Sequence, residues 1–195
     1  MKIAVFDIDG VLADFEGLIV DIFGEGRGRE FYCLGDRYDT KVMEKVNAIV
    51  YDANYYYPLN PIEQGFEFLA QAWPKYQIMI MTSRPHTDTM ERFTKKWLAR
   101  QLRDTVGLQY EDLLGVKFTL NKSADLFLIR DDVAFFVDDN PEEIEEAKRI
   151  GIPSYSWAQP WNEHVFPKLF PERDGTVWYQ ELDYTEPVRF WQKDE

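Results

Sequence analysis

One cysteine in 195 residues, Cys33, excludes an internal disulfide framework, and no apolar run approaches the roughly 20 residues needed to cross a bilayer. The first apolar run, in KIAVFDIDG, is broken by aspartates after a few residues, so a cytoplasmic location is expected and a membrane partner is not. Positive charge is scarce as well: 22 Lys and Arg face 35 Asp and Glu, a net charge of -13. A surface of that sign repels polyanions, which argues against a long nucleic-acid groove and leaves small phosphorylated substrates open if a cation mediates. Internal repeats and low-complexity tracts are absent too.

What is present is a 45% hydrophobic chain, enough for one sizeable core and a small inserted module. Four short apolar runs, Ile3 to Phe6, Ile78 to Met81, Val116 to Leu120 and Ala134 to Val137, are each followed by polar residues and a helix-like segment. Near-continuous apolar strands alternating with helices predict an α/β fold, a Rossmann-like doubly wound and mostly parallel sheet covered on both faces. Asn60, Pro61 and Glu63, and again Asn140, Pro141 and Glu143, have the pattern of a helix cap, first-turn proline and capping box. A further helix is predicted from Thr87 to Leu102, its stripe of Met90, Phe93 and Trp97 being read as core packing.

Between Asp14 and Leu59 no strand is evident. Two amphipathic stretches, Phe15 to Phe23 and Val42 to Tyr51, are joined by GEGRGREFYCLGDRYD, read as a mobile, partly basic loop able to reach over an active site. The expected division is a core of residues 1–14 and 60–195 with a helical cap of residues 15–59. The proline- and aromatic-rich tail from about residue 162 stays unassigned, as an edge element or an oligomer contact in a homodimer.

The chemistry starts with DIDGVLAD. Asp7 and Asp9 stand at the carboxyl end of the first predicted strand, where ligands sit in open α/β sheets, and Gly10 permits a tight turn. Of two carboxylates so spaced, one can attack phosphorus as the ionised nucleophile. The other can protonate the leaving oxygen and later activate water. Asp7 takes the first role and Asp9 the second. A D-x-D-G turn can also simply end a strand, but Asp138 and Asp139 follow another predicted strand, and several carboxylates gathered at one spot call for a hard divalent cation, magnesium by preference. Asp131 and Asp132 precede that strand and are read as a turn. Thr82 and Ser83, closing a strand and followed by Arg84, can donate to phosphate oxygens, although such hydroxyls also cap helices. Lys122 can pair with the phosphate and with the nucleophile.

The order D-x-D-G, Thr-Ser, Lys, Asp-Asp resembles the haloacid dehalogenase superfamily, over most of residues 1–155. That resemblance implies a Rossmann-like core, a nucleophile at Asp7, and a phosphatase rather than a dehalogenase because Asp9 is present. It implies a metal held by Asp7, the backbone carbonyl of Asp9, and Asp138, with Asp139, Arg84 and Phe15 as additional site candidates. More narrowly, DIDGVLADF, MTSRP, NKSADLFL, FFVDDNPEEIEEA and QPWN resemble the 5'(3')-deoxyribonucleotidase family, which implies nucleoside monophosphates as substrates and a helical cap after the first motif. Aromatics of the insert, Phe15, Phe31, Tyr32, Tyr38 and Tyr55 to Tyr57, then either stack on a nucleobase or form the cap's own core. Competing substrates are sugar phosphates and phosphorylated 3' ends of polynucleotides. A non-catalytic phospho-acceptor or binding protein is the alternative of another class, disfavoured because response-regulator receivers place their acidic doublet early.

Overall fold

The computed structural model describes residues 1–30, 32–174, 176–182 and 186–190. The apolar runs become strands β1 (Ile3–Phe6), β2 (Gln77–Thr82), β3 (Gly115–Phe118) and β4 (Val133–Asp138), joined by β5 (Ser154–Trp157), β6 (Lys168–Pro171), β7 (Val177–Gln180) and β8 (Val188–Arg189). They form one sheet in the order β3-β2-β1-β4-β5-β6-β7-β8, parallel from β3 to β6 and antiparallel across the last two pairings.

The continuous apolar character of the central strands follows from burial on both faces. Ala4, Phe6, Ile80 and Val137 join Phe66 and Leu69 of α4 (Glu63–Ala72) and Trp97 and Leu98 of α5 (Asp88–Gln101) in one core. Val5, Met81 and Phe136 join Leu126 of α6 (Lys122–Ile129) and Ile144 and Ala147 of α7 (Pro141–Arg149) in the other. The chain runs outward from β1 to β2 and β3, then returns to place β4 on the other side of β1, so the topological switch lies between β1 and β4. Phe6 stands opposite Ile80 of β2 and Val137 of β4, which brings the residues following all three strands to one edge.

Between β1 and α4 the chain forms α1 (Phe15–Phe23), α2 (Leu34–Arg37) and α3 (Thr40–Val50). They share an apolar cluster of Ile19, Tyr38, Val46 and Ile49. The segment between α1 and α3 is less free than its composition suggests, because Arg37 is buried and forks onto Glu16 at 2.7 and 2.6 Å while donating to the Gly28 carbonyl at 2.9 Å. Phe31, one of the aromatics noted above, lies outside the described residues.

Several sequence expectations hold in detail. Thr87 caps α5 by accepting the Met90 N–H, and Met90 and Trp97 are buried with Phe93 packed against them. Asn140 caps α7 ahead of Pro141. Asp131 and Asp132 form a turn before β4. Asn60, however, caps nothing: α4 starts at Glu63 with Ile62 in the cap position. Residues 60–62 are held extended against the loop after β1, with Asp14 donating to Asn60, Ile62 donating to Leu12 and Pro61 bridging Ala13, so the helix cannot begin there. The strand expected to run to Leu120 ends at Phe118, since Asn121 caps α6 through the Ala124 N–H and the chain must turn first. The unassigned tail supplies β6 to β8 and adds Leu169, Val177, Tyr179 and Phe190 to the main core. Among the described residues no helix is long and apolar enough to cross a membrane.

The packing of α4 against the β1 loop leaves no spare volume. A methyl group on Gly65 would stand 2.0 Å from the Val11 carbonyl oxygen, a backbone atom that cannot swing aside. We expect Gly65→Ala to destabilise the protein by roughly 1–3 kcal/mol despite the better helix propensity of alanine, read as a lowered midpoint in chemical denaturation. An unchanged or raised midpoint would contradict this packing.

Candidate active site

The edge defined by the ends of β1, β2 and β4 opens into a cleft of about 440 Å³. Asp7 follows β1 directly, its N–H extending the ladder to the Val137 carbonyl at 2.9 Å. Asp138 closes β4 and Asp139 follows it, and all three carboxylates are buried. Lys122, the first residue of α6, reaches between two of them, with Nζ 2.9 Å from Asp7 Oδ1 and 2.7 Å from Asp138 Oδ2. The other oxygen of Asp138 accepts the Asn140 N–H at 2.8 Å. Gly10 is required twice. Its φ of 85° suits glycine, and a Cβ there would lie 2.3 Å from the Asp139 carboxylate.

Three buried carboxylates against one ammonium are electrostatically incomplete. Burial raises the Asp7 carboxyl from its ordinary 3.8 to about 7, because desolvation together with Asp138 and Asp9 outweighs Lys122. Burial likewise holds Asp139 well above the ordinary range, reinforced by Asp138 and Asp7. Lys122 is shifted upward: burial alone would lower it, but Asp138 and Asp7 prevail. Asp7, Asp138 and Asp139 can each turn one oxygen to within 4.8 Å of the others. An all-oxygen donor set with excess negative charge fits a hard divalent cation such as magnesium.

Asp9 sits on the other wall. Both of its oxygens accept from Arg84, at 2.8 Å from Nε and 2.7 Å from a terminal nitrogen, so Arg84 is engaged rather than open to a phosphate. Thr82 is buried and accepts the Arg84 N–H at 3.3 Å, while Ser83 is exposed at the cleft. Asp7, Asp9, Thr82, Ser83, Lys122 and Asp139 thus share one cavity. Asp138 is fully buried beneath it, bound to Lys122.

The wall away from the carboxylates is largely aromatic and apolar, with Phe15, Met43 and Tyr56 on one side and Tyr32 and Trp161 on another. Phe15 stacks on Tyr56 at 5.4 Å and 8°, and Tyr32 lies 6.3 Å from Trp161. Burial raises the Tyr32 phenol, as do Asp139, Asp138 and Asp7, which puts this ring near the acidic end. Tyr38 is instead part of the helical cluster, with its hydroxyl donating to Gly24.

A bracing layer comes from QPWN, which the sequence marked as a motif without giving it a role. Asn162 is fully buried and donates to the Asp139 carbonyl at 2.9 Å and the Trp157 carbonyl at 2.7 Å, while Trp161 donates to the same Asp139 carbonyl at 3.3 Å. Gln159 donates to the Gly10 carbonyl at 2.8 Å. The QPWN segment therefore ties the acidic doublet to the loop after β1.

No family model matches the chain, and no curated protein does. Solved structures are similar to it in fold. A haloacid dehalogenase-like hydrolase from Streptococcus pneumoniae aligns with a TM-score of 0.53 at 15% identity, over 81% of this chain and 85% of that one. A D,D-heptose 1,7-bisphosphate phosphatase from B. bronchiseptica aligns at 0.49, 13% identity and 82% of each chain. The UTR4 protein of Saccharomyces cerevisiae aligns at 0.48, 15% identity, over 80% of this chain and 90% of that one. The fold is haloacid dehalogenase-like.

The raised carboxyl groups make a prediction about pH. In the metal-free protein Asp7 keeps its proton up to about pH 7, whereas in the unfolded chain it loses it near 3.8. Across that window the folded state binds more protons at this site, so the Asp7 contribution to stability falls as pH rises through 3.8 toward about 7. A cation displaces those protons and is held more tightly above pH 7. We expect the stabilisation by millimolar magnesium in thermal melts to be larger at pH 8 than at pH 5; equal stabilisation at both values would show that the carboxylates do not hold the ion.

Proposed function

We propose that the protein is a magnesium-dependent phosphomonoesterase that works through an aspartyl-phosphate on Asp7 and acts on nucleoside monophosphates. The observation that carries this reading is the meeting of Asp7, Lys122 and the acidic doublet at the topological switch, with Asp9 and Thr82 facing the same cavity. Magnesium would be held by Asp7, the Asp9 backbone carbonyl and Asp138, with Asp139 beside them. When bound there, the ion supplies the positive charge that offsets a phosphate dianion in an acidic pocket.

The residues then divide the reaction. An Asp7 oxygen bonds to phosphorus as the bond to the leaving oxygen breaks, and that bond's electron pair and a proton from Asp9 complete the leaving alcohol. Water next attacks phosphorus and gives its proton to the Asp9 carboxylate. The Asp7–phosphorus bond breaks and inorganic phosphate departs. Lys122, Thr82 and Ser83 hold the phosphoryl oxygens in line, so that most of the work is positioning and charge stabilisation. A nucleoside suits the aromatic wall of Phe15, Tyr32, Tyr56 and Trp161, where a flat base finds apolar surface beside polar edges.

The test is phosphate release from ribo- and deoxyribonucleoside monophosphates, sugar phosphates and a 3'-phosphorylated oligonucleotide, with magnesium or with chelator. We expect magnesium-dependent release fastest on nucleoside monophosphates, abolished by Asp7→Asn. Faster turnover of sugar phosphates would keep the mechanism and remove the substrate assignment. Release that survives Asp7→Asn would remove the mechanism.

A further inference from the structure

Arg84 follows the Thr-Ser pair and has a geometry that the mechanism above does not use. Its side chain is almost wholly buried, at 1% exposure, whereas that of its partner Asp9 is 26% exposed at the cleft. Three of its N–H directions are committed: two to the Asp9 oxygens and one, at 3.1 Å, to the Thr94 hydroxyl of α5. Its guanidinium lies over the Tyr56 ring at 4.4 Å from the centroid and near Trp97 at 5.7 Å. A planar fork held on its faces by aromatic rings and in its plane by Thr94 is the fixed partner of the pair. Asp9 is the partner able to move.

We propose that Arg84 is the positioning residue for Asp9, setting the orientation from which that carboxyl exchanges a proton with the leaving oxygen and with water. The inference rests on the phosphatase reading. With both oxygens accepting from Arg84, Asp9 has to release one of them to reach a reacting atom. Release of the Nε contact leaves the terminal N–H bond to Oδ1 as a pivot and turns Oδ2 toward the cleft, where it takes a proton from solvent before giving it to the leaving oxygen. Without the guanidinium the carboxyl samples several rotamers in a half-open site, and the proton transfer loses its alignment. Phosphate binding through Lys122 and Thr82 does not pass through Arg84, so the effect falls on turnover rather than on affinity.

The experiment compares two substrates in the presence of magnesium. A nucleoside monophosphate has an alkoxide leaving group that needs a proton; p-nitrophenyl phosphate has one that departs without it. For Arg84→Met we expect kcat on the nucleotide to fall on the order of 100-fold, the scale of a general-acid contribution, and kcat on p-nitrophenyl phosphate to fall less than about 5-fold, with KM little changed on either. Arg84→Lys should fall between Arg84→Met and wild type. In an Asp9→Asn background Arg84→Met should add no further loss on the nucleotide, since the group it positions is gone.

Equal losses on both substrates, or an additive loss in the Asp9→Asn background, would overturn the inference and assign Arg84 a purely structural role. Should Arg84→Met fail to fold, Thr94→Val removes one anchor and keeps the ion pair. It should show the same skew between substrates at smaller amplitude, and a flat response there overturns the inference as well. A wild-type protein that turns over neither substrate removes the phosphatase reading and this inference with it. A wild type active on both, with no skew in the variants, removes this inference alone.

Discussion

The Lys122 ammonium between Asp7 and Asp138 is the contact on which the rest of the site depends. Burying carboxylates is costly unless opposite charge and hydrogen bonds accompany them, and here one cation serves a cluster of three acidic groups. The sheet imposes the arrangement. Asp7 and Asp138 leave neighbouring parallel strands at matched height, and Lys122 opens the helix after β3. Because the compensation is incomplete, Asp7 and Asp139 hold their protons more firmly than ordinary carboxyls do. The deficit that weakens the metal-free fold at rising pH is the same one that draws a divalent ion.

Such a cluster needs walls that do not yield. Gly10 lets the backbone turn against Asp139 with no side chain between them, and Gln159 fixes the Gly10 carbonyl from the far end of the sequence. Asn162 and Trp161 hold the Asp139 carbonyl, and Trp161 also lies 5.9 Å beneath the Arg37 guanidinium. Arg37 in turn forks onto Glu16 of α1. A continuous path of hydrogen bonds and ring contacts therefore runs from the carboxylate edge to the helices between β1 and β2. The segment after α1 is attached to the site by this path, and its Tyr32, Cys33, Leu34 and Gly35 line the cleft.

The legible parts of the structure are those whose cause is local. Strands β1, β2 and β4 were visible because burial on both faces demands unbroken apolar runs, and Asn140 was visible as a cap because its partner is Glu142, two residues away. Asn60 misled for the complementary reason. Its capping pattern is present, but a bridge to the loop after β1, set by tertiary pairing, keeps that stretch extended. Strands β6 to β8 are short and rich in aromatics, and their strand character comes from pairing with one another, which no window of sequence reports. At the site the motif residues were legible as types in order. Their partners were not: Arg84 meets Asp9 across 75 positions and Gln159 meets Gly10 across 149.

That division has a chemical consequence. The carboxylates, Thr82 and Lys122 sit on strand ends and a helix start, and their placement follows from the fold. The opposite wall is Phe15, Tyr32, Met43 and Tyr56, which come from the stretch between β1 and β2 with its own small apolar cluster. On the proposed reading, substitution of Phe15, Tyr32 or Met43 changes which alcohol is accepted without disturbing the carboxylates. Tyr56 belongs to both sets, since its ring stacks on Phe15 at the cleft wall and also covers the guanidinium that grips Asp9. A change at Tyr56 would therefore alter the shape of the cleft wall and the hold on Asp9 together, so on the proposed reading this ring is where selectivity and proton transfer are physically joined.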